Sequence, residues 1–442
     1  MRMHLHDWPR RVGILLGIAG FAAALVFALA LADWRMAGAA DPRAAIAAGF
    51  RDGALSIDPV EDRWIGPRRG FDCALLQAGI PGEADAPLVT LPRYADQRDL
   101  AEDCEVLRDL AIRDPLAQYQ RGGDSGDVAL GHGALGALLA LVPISRLRWA
   151  IVGFWLAAPL LGLALGRAGA SPEAPRDFGD PAGLLFGPLL AVACLWLWGP
   201  SLSAALPVGL LLLMTGWAGA SAAFRAGSGW AQMVAATFGA ALALGEYRAP
   251  IACCGFAVLL LFALRHGKDG DRFRPVAAFL LAGILALGFC DIAAALSGEG
   301  TVAAVADALL DRLDPASDPI DPTQLKPAVV DALDAALPGP RSDAVLAFLA
   351  VAFGLLFAPA LARASQRTPV PVGRAYAAVG GLVAIAAWVA WFGGRSALAP
   401  AEGGIIYAWL ATASAVAVLH WLWSLALLLA PRRARPAAAS TA

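Results

Sequence analysis

Long apolar segments separated by shorter polar stretches make up most of the chain. A helix needs about 20 residues to cross the roughly 30 Å hydrocarbon core of a bilayer, and most of these segments reach or approach that length. The pattern therefore predicts an all-α polytopic membrane protein. The eleven segments cover residues 12–32, 128–144, 149–166, 182–198, 202–222, 229–245, 250–265, 275–296, 345–363, 375–393 and 405–430.

The basic residues favour one topology. Eleven spanning helices with an inward N-terminus would place the C-terminal tail and the basic loops at 266–274 and 363–374 outside, against the positive-inside rule. A single non-spanning segment removes the conflict. We assign that role to 229–245, which is short, contains Gly239 and Gly245, and is flanked by polar residues. The sequence thus predicts about ten spanning helices and one re-entrant or interfacial segment, which protein or a water-filled cavity must cover.

This topology places both long polar loops outside and Arg146 and Arg148 in the cytoplasm. The first apolar segment follows basic residues, and its length favours an uncleaved anchor over a cleaved signal peptide. The predicted regions are a cytoplasmic N-terminus with the first helix (1–32), an outer loop domain (33–127), a membrane bundle (128–296), a second outer loop (297–344), a second membrane bundle (345–430) and a cytoplasmic tail (431–442).

The first outer loop is long enough to form a small, mainly helical domain. Apolar spacing predicts helices over 42–54, 71–78 and 95–113. Cys73 and Cys104 are the only cysteines in this loop, so an oxidising compartment would favour a disulfide between them. In the chain-entropy model such a bond stabilises the fold by about 3–4 kcal/mol. The alternative is a pair of unpaired, buried thiols.

The second outer loop has two predicted amphipathic helices, over 301–314 and 327–336. Prolines separate them. They would lie on the membrane or against the first loop. The other interpretation is a solvated cap without chemistry.

The composition is typical of a membrane protein and argues against some classes of function. Hydrophobic residues make up 59% of the chain and charged residues only 16%, against about 25% in soluble domains. The net charge of −2 gives no general affinity for nucleic acid. Few histidines and no zinc or nucleotide motif predict that there is no metal and no cofactor. Abundant Ala, Leu and Gly with few Lys is typical of a GC-rich bacterium, which predicts the bacterial cytoplasmic (inner) membrane.

Several polar residues lie near the predicted outer face. A carboxylate there could act as a general base on an acceptor hydroxyl, while arginines hold a phosphate leaving group. Each residue alone also fits a structural role. The catalytic candidates are Asp33, Glu61, Asp62, Asp72 and His132. The substrate-binding candidates are Tyr119, Arg121, Arg225, Glu246, Tyr247 and Arg248.

Three stretches resemble a group of uncharacterised bacterial polytopic membrane proteins. Tyr119-Gln120-Arg121 followed by His132-Gly133 resembles the group's Tyr-x-Arg-Tyr-Trp-His-Gly motif, although the Tyr-Trp pair is missing and about ten residues intervene. Arg-Gly-Phe-Asp-Cys-Ala-Leu-Leu at 69–76 is similar to its Asn-Phe-Thr-Asp-x-x-Met-Leu stretch, and 229–252 to its polar turn. The resemblance implies site roles for Tyr119, Arg121, Asp72 and His132, but no particular reaction.

The order of a first helix and a large outer loop with carboxylates resembles that of GT-C glycosyltransferases, although no Asp-x-Asp motif lies in the loop. This resemblance implies a cell-envelope glycosyltransferase acting on a lipid-linked substrate at the outer face. Its partners would be membrane lipids, a polyprenyl-linked sugar donor and an envelope glycan acceptor. The alternatives are a transporter or flippase, for which Asp291 and His420 are intramembrane candidates, and a non-catalytic assembly protein. The oligomeric state is not predicted.

Overall fold

The computed structural model describes thirteen parts of the chain, all within the first 298 residues. They are 8–37, 42–56, 72–73, 76, 100–113, 130–168, 187–188, 190–192, 194–195, 200–202, 204–245, 248–265 and 270–298. The second outer loop, the last three apolar segments and the C-terminal tail lie outside these described residues. Within them all regular structure is helical, which confirms the predicted class. The number of spanning helices in the whole chain remains a prediction.

Some of the described helices are joined by short turns, such as the one between Leu139 and Ile144. Among the described residues, three stretches are long and apolar enough to cross a membrane, namely Pro9–Asp33, Ile144–Arg167 and Asp271–Cys290. The helices are α1 (Trp8–Ala37), α2 (Arg43–Arg51), α3 (Leu100–Arg113), α4 (His132–Leu139), α5 (Ile144–Ala168), α6 (Ala205–Ala220), α7 (Ala222–Arg225), α8 (Gly229–Ala243), α9 (Arg248–Arg265) and α10 (Arg274–Gly298), with a 3₁₀ turn at Gly270–Phe273 before α10.

Helices α1, α8 and α10 pack side by side and run in the same direction. Along α8 and α10, Gly227 contacts Asp271 at one end and Gly239 contacts Phe279 further along. The C-terminal ends of α1 and α8 meet at the same place, because Asp33 accepts a hydrogen bond from Gly131 and Leu244 accepts one from Leu130. We call this place the Asp33 end of the bundle, and the opposite end, where α8 begins, the Gly227 end.

Small residues allow this close packing. The buried side chains between these three helices are mostly alanines, including Ala22, Ala236 and Ala282. A Cβ at Gly239 would overlap the backbone carbonyl group of Phe279. Within a bilayer, close van der Waals packing of this kind replaces the hydrophobic effect as the main source of helix association.

Helices α5 and α6 form a second parallel pair that runs in the opposite direction. Phe154 lies against Gly209, and Pro159 against Gly216 one to two turns further along both helices. The Trp155 indole donates a hydrogen bond to the Ala205 carbonyl over 2.9 Å. Gly131 faces Leu206 and Gly245 faces Pro207, which places the start of α6 at the Asp33 end.

The structure differs from the sequence prediction in the segment 128–144, and it describes 229–245 as a largely buried helix. Residues 132–139 form only the eight-residue helix α4, about 12 Å long, and the chain turns before α5 begins at Ile144. In contrast, α8 runs from the Gly227 end to the Asp33 end and is buried among α1, α6, α9 and α10. The prediction had assigned a spanning helix to the first segment and a re-entrant or interfacial role to the second.

The described part of the first loop packs on the start of α5. Helices α2 and α3 contact each other, and Cys73 and Cys104 form the predicted disulfide with Cα atoms 5.1 Å apart. Helix α2 and the C-terminal part of the predicted 95–113 helix are also confirmed. Ile46, Leu55 and Leu107 are buried with the disulfide in a core that continues through Ile144 into the bundle. The first loop and the membrane bundle therefore share one hydrophobic core.

Candidate functional site

Two buried carboxylates, Asp33 and Asp72, lie at the junction between the first loop and the bundle. Both were catalytic candidates in the sequence. Their exposed fractions are only 7% and 1%, so each carboxylate must find its hydrogen-bond partners inside the protein.

Asp33 is bound to the first turn of α4. Its Oδ2 accepts from the backbone nitrogens of Gly131 (2.8 Å) and Gly133 (3.1 Å), and its Oδ1 accepts from Ala134 (2.8 Å). A carboxylate there satisfies amides that lack helical partners and interacts favourably with the positive end of the helix dipole. Asp33 therefore acts as an N-cap contributed by α1, about one hundred residues away in sequence. Both of its oxygens are occupied.

Asp72 joins the first loop to α5 and to the turn before α6. Its Oδ2 accepts from Arg148 Nη2 at 3.0 Å. Its Oδ1 accepts from the Ser201 hydroxyl at 2.7 Å and from the Leu202 backbone nitrogen at 2.8 Å. The neighbouring residue, Cys73, is fixed by the disulfide. Asp72 thus ties three separate parts of the chain together.

The Asp72–Arg148 ion pair corrects the predicted position of Arg148. Arg148 and, with it, Arg146 were predicted to be cytoplasmic, whereas the loop that carries Asp72 was predicted to be outside. Two side chains in contact cannot lie on opposite sides of a membrane. The start of α5 therefore lies on the same side as the first loop.

Two cavities open along this part of α5. The first encloses about 330 Å³ between α2 and the α4–α5 turn, and its walls include small residues such as Ala48 and Gly49 with Asp52 and Ser145 as polar groups. The second is an apolar groove of about 260 Å³ between α4, α5 and the start of α6. Six of the residues that line the groove are Leu135, Leu138, Leu147, Ile151, Phe154 and Leu206.

The groove and the ion pair lie next to each other. Leu147 and Leu202 line the groove, and they adjoin Arg148 and Ser201, which bind Asp72. Gly131 and Ala134 line it as well, and both donate to Asp33. Leu138 and Phe154 are more than one-third exposed, so the groove is open at its side. It combines an apolar wall with a polar junction at one end.

The other predicted site residues are not brought into this junction by the described structure. Arg225 is half-buried at the end of α7, near the opposite end of the bundle. The backbones of His132 and Arg248 begin α4 and α9, and nothing is described of their side chains. Glu61, Asp62, Tyr119, Arg121, Glu246 and Tyr247 lie outside the described residues. Their proposed roles stay predictions.

Arg148 and Ser201 were not predicted as site residues. Arg148 lies at the edge of a predicted apolar segment, where an arginine usually extends to the membrane interface, so the sequence carried no signal of its pairing with Asp72. Nothing in the sequence around Ser201 points to Asp72. In the part of the chain that the structure describes, no group of three or more His, Cys, Asp or Glu side chains could hold a metal ion.

Comparison with known proteins does not assign a function to the chain. No protein-family model matches the chain, and no curated protein or solved structure is significantly similar to it.

Proposed function

We propose that the Asp33 end of the bundle faces the outside of the bacterial cytoplasmic membrane. The disulfide between Cys73 and Cys104 supports this orientation, because disulfides persist in oxidising compartments. The Gly227 end, where Arg225 and Arg272 lie, would then be cytoplasmic, in agreement with the positive-inside rule. In this arrangement 229–245 crosses and 128–144 does not.

The total of about ten spanning helices is unchanged by this revision. If 229–245 crosses the membrane and 128–144 does not, only the helices between these two segments change their direction of crossing. The loops at 266–274 and 363–374 and the tail after Pro431 remain cytoplasmic, and the second outer loop remains outside. The revised topology therefore keeps the charge distribution that motivated the prediction.

Within this orientation, the protein acts on a lipid-linked substrate of the cell envelope at the outer face. The observation that carries this proposal is the apolar groove between α4, α5 and α6 that ends at the polar junction around Asp72 and Arg148. A binding site for an amphipathic molecule needs this combination of an apolar wall and polar groups. The hydrocarbon chain would lie in the groove and the phosphate-bearing head would face the first loop.

Glycosyl transfer is the reaction that we propose for this substrate, with Glu61 or Asp62 as the general base. Asp33 and Asp72 are poorer candidates, because every oxygen of their carboxylates already accepts a hydrogen bond from the protein. A general base needs an accessible oxygen within reach of the acceptor hydroxyl. The two remaining acidic candidates lie in the same outer loop.

The experiment is a mass-spectrometric profile of envelope glycans and lipid-linked intermediates in a deletion strain. The strain is complemented with wild type, Ala150→Phe, which fills the groove, or Ala157→Phe, a matched change two turns along α5 at another exposed position. We expect one sugar to be lost in the deletion and with Ala150→Phe, and restored with Ala157→Phe. Unchanged glycans in the deletion strain would contradict glycosyl transfer.

A non-catalytic assembly protein is the second candidate, and one observation favours it. Both described carboxylates at the junction have structural contacts: Asp33 holds the start of α4 on α1, and Asp72 holds the first loop on α5. A loop that is held on the bundle in this way suits the docking of other envelope proteins. Replacement of Glu61 by Gln and Asp62 by Asn separates the two candidates, because it would abolish transfer and leave assembly intact.

A further inference from the structure

The Gly227 end of the bundle carries a group of arginines that the proposed function does not use. Arg10 and Arg11 are exposed at the start of α1, Arg225 is half-buried at the end of α7, and Arg274 begins α10. The parallel packing of α1, α8 and α10 brings these residues to the same end of the molecule.

Among the described residues at this end of the bundle, arginines outnumber carboxylates. Around the starts of α1, α8 and α10, Asp271 is the one carboxylate whose side chain the structure describes. It pairs with Arg274 at 2.6 Å. Arg272 is only 6% exposed and lies with its guanidinium carbon 5.3 Å from the centre of the Phe273 ring.

Contacts of the α7–α8 turn determine where Arg225 lies. Gly227 has φ of 63° and packs directly on the carbonyl group of Asp271, so the α7–α8 turn and the 3₁₀ turn are in contact. The Gln232 side chain donates to the Gly227 carbonyl over 3.0 Å, and Ser228 caps α8. The backbone of Arg225 therefore lies close to the start of α10.

An exposed aromatic side chain completes this surface. Trp230, in the first turn of α8, is 66% exposed although most of that helix is buried. Tryptophan concentrates at the level of lipid headgroups, where its ring meets the acyl chains and its N–H faces water. The combination of basic side chains and an exposed indole at the end of a membrane bundle fits a lipid headgroup that carries negative charge.

We propose that this surface, formed by Arg10, Arg11, Arg225, Arg274 and Trp230, binds the phosphate groups of anionic phospholipids. The bound lipids would surround the starts of α1, α8 and α10, whose partial positive charges add to the attraction. This binding depends on neither glycosyl transfer nor the groove at the other end, so either proposal can fail alone.

The test measures phospholipids retained by purified protein after extraction from membranes that contain phosphatidylglycerol and phosphatidylcholine. Native mass spectrometry compares wild type with Arg225→Gln/Arg274→Gln and with Arg167→Gln. Arg167 is a matched control, because it lies at the same end of the bundle but at the C-terminus of α5. Circular dichroism shows that each variant is folded, and Arg225→Lys tests whether charge alone restores binding.

We expect the preference for phosphatidylglycerol to fall about fivefold for each arginine removed, since one cation near an anionic surface contributes about 1 kcal/mol. Arg167→Gln should retain the wild-type preference. An equal loss with Arg167→Gln would overturn the proposal by showing a general charge effect. An unchanged preference in the double variant would overturn it, and so would full displacement of the lipid by inorganic phosphate.

Discussion

The segments 128–144 and 229–245 have the same length of 17 residues and a similar apolar character, yet they take opposite roles in the structure. The first forms a short helix that packs on α1, and the second forms a buried helix through the whole bundle. Their partners explain the difference. Asp33 fixes the first turn of α4, whereas small residues let α8 pack closely between α1 and α10. Hydropathy measures affinity for lipid, but it does not identify such partners.

The largest expected effect is on the labelling of introduced cysteines by a reagent added to one side of the membrane. Cysteine is introduced at Ser145 or at Ala226, both exposed, in a chain whose cysteines outside the disulfide are replaced by alanine. A membrane-impermeant maleimide should label position 145 in intact spheroplasts and position 226 only after permeabilisation. The reverse pattern would restore 128–144 as the spanning segment and 229–245 as the re-entrant one.

The next effect concerns the packing of α8. Gly239→Val places side-chain atoms against the backbone of Phe279, which cannot move without separating α8 from α10. Overpacking of a core usually costs about 1–3 kcal/mol, and contact with backbone belongs to the upper part of that range. We expect a large fall in Tm and in the yield of folded protein.

Gly288→Val is the control for this change, since a Cβ at Gly288 meets no other atom within 4 Å. Its Tm should stay close to that of wild type. Similar Tm values for the two variants would show that α8 does not depend on close contact with α10.

Removal of the Asp72–Arg148 ion pair should weaken the attachment of the first loop to α5. Asp72→Ala leaves Arg148 buried without its carboxylate, and breaking a buried pair costs about 3–5 kcal/mol. Thermal unfolding and limited proteolysis of the loop measure the effect. Asp72→Ala/Arg148→Met should recover part of the loss, because it removes the unpaired charge as well.

Asp109→Ala serves as the comparison for that variant. Asp109 pairs with Arg108 at 3.5 Å near the surface, and exposed pairs contribute about 0–1 kcal/mol. Equal losses from the Asp72 and Asp109 variants would argue against a bridging role for Asp72.

The smallest effect is expected at the start of α4. Asp33→Ala removes the acceptor for three amides, and loss of an N-cap typically costs about 1 kcal/mol. Hydrogen exchange at Gly131, Gly133 and Ala134 should become several-fold faster, while exchange in α8 is unchanged. Asp33→Asn keeps one acceptor oxygen and should have an intermediate effect. Faster exchange in both helices would mean that the two segments unfold together.

The sequence predicted which residues belong to the junction better than it predicted what those residues do. The pairing of Cys73 with Cys104 and the position of α2 followed from residue type and spacing. Asp33 and Asp72 were correctly selected as unusual residues, but their assignment to catalysis did not allow for the hydrogen bonds that occupy them. Those bonds join residues between 76 and 130 positions apart. No local pattern contains such information.

The sequence alone determined that the described part of this protein is helical, that several of its helices are apolar enough to cross a membrane, and that a disulfide holds the first loop. These properties depend on residue type and on spacing within a few turns. Tertiary structure decided which apolar segment crosses the bundle and on which side Arg148 lies. The reason is that a buried carboxylate or a glycine in a close helix contact has its effect only through residues that are distant in the chain.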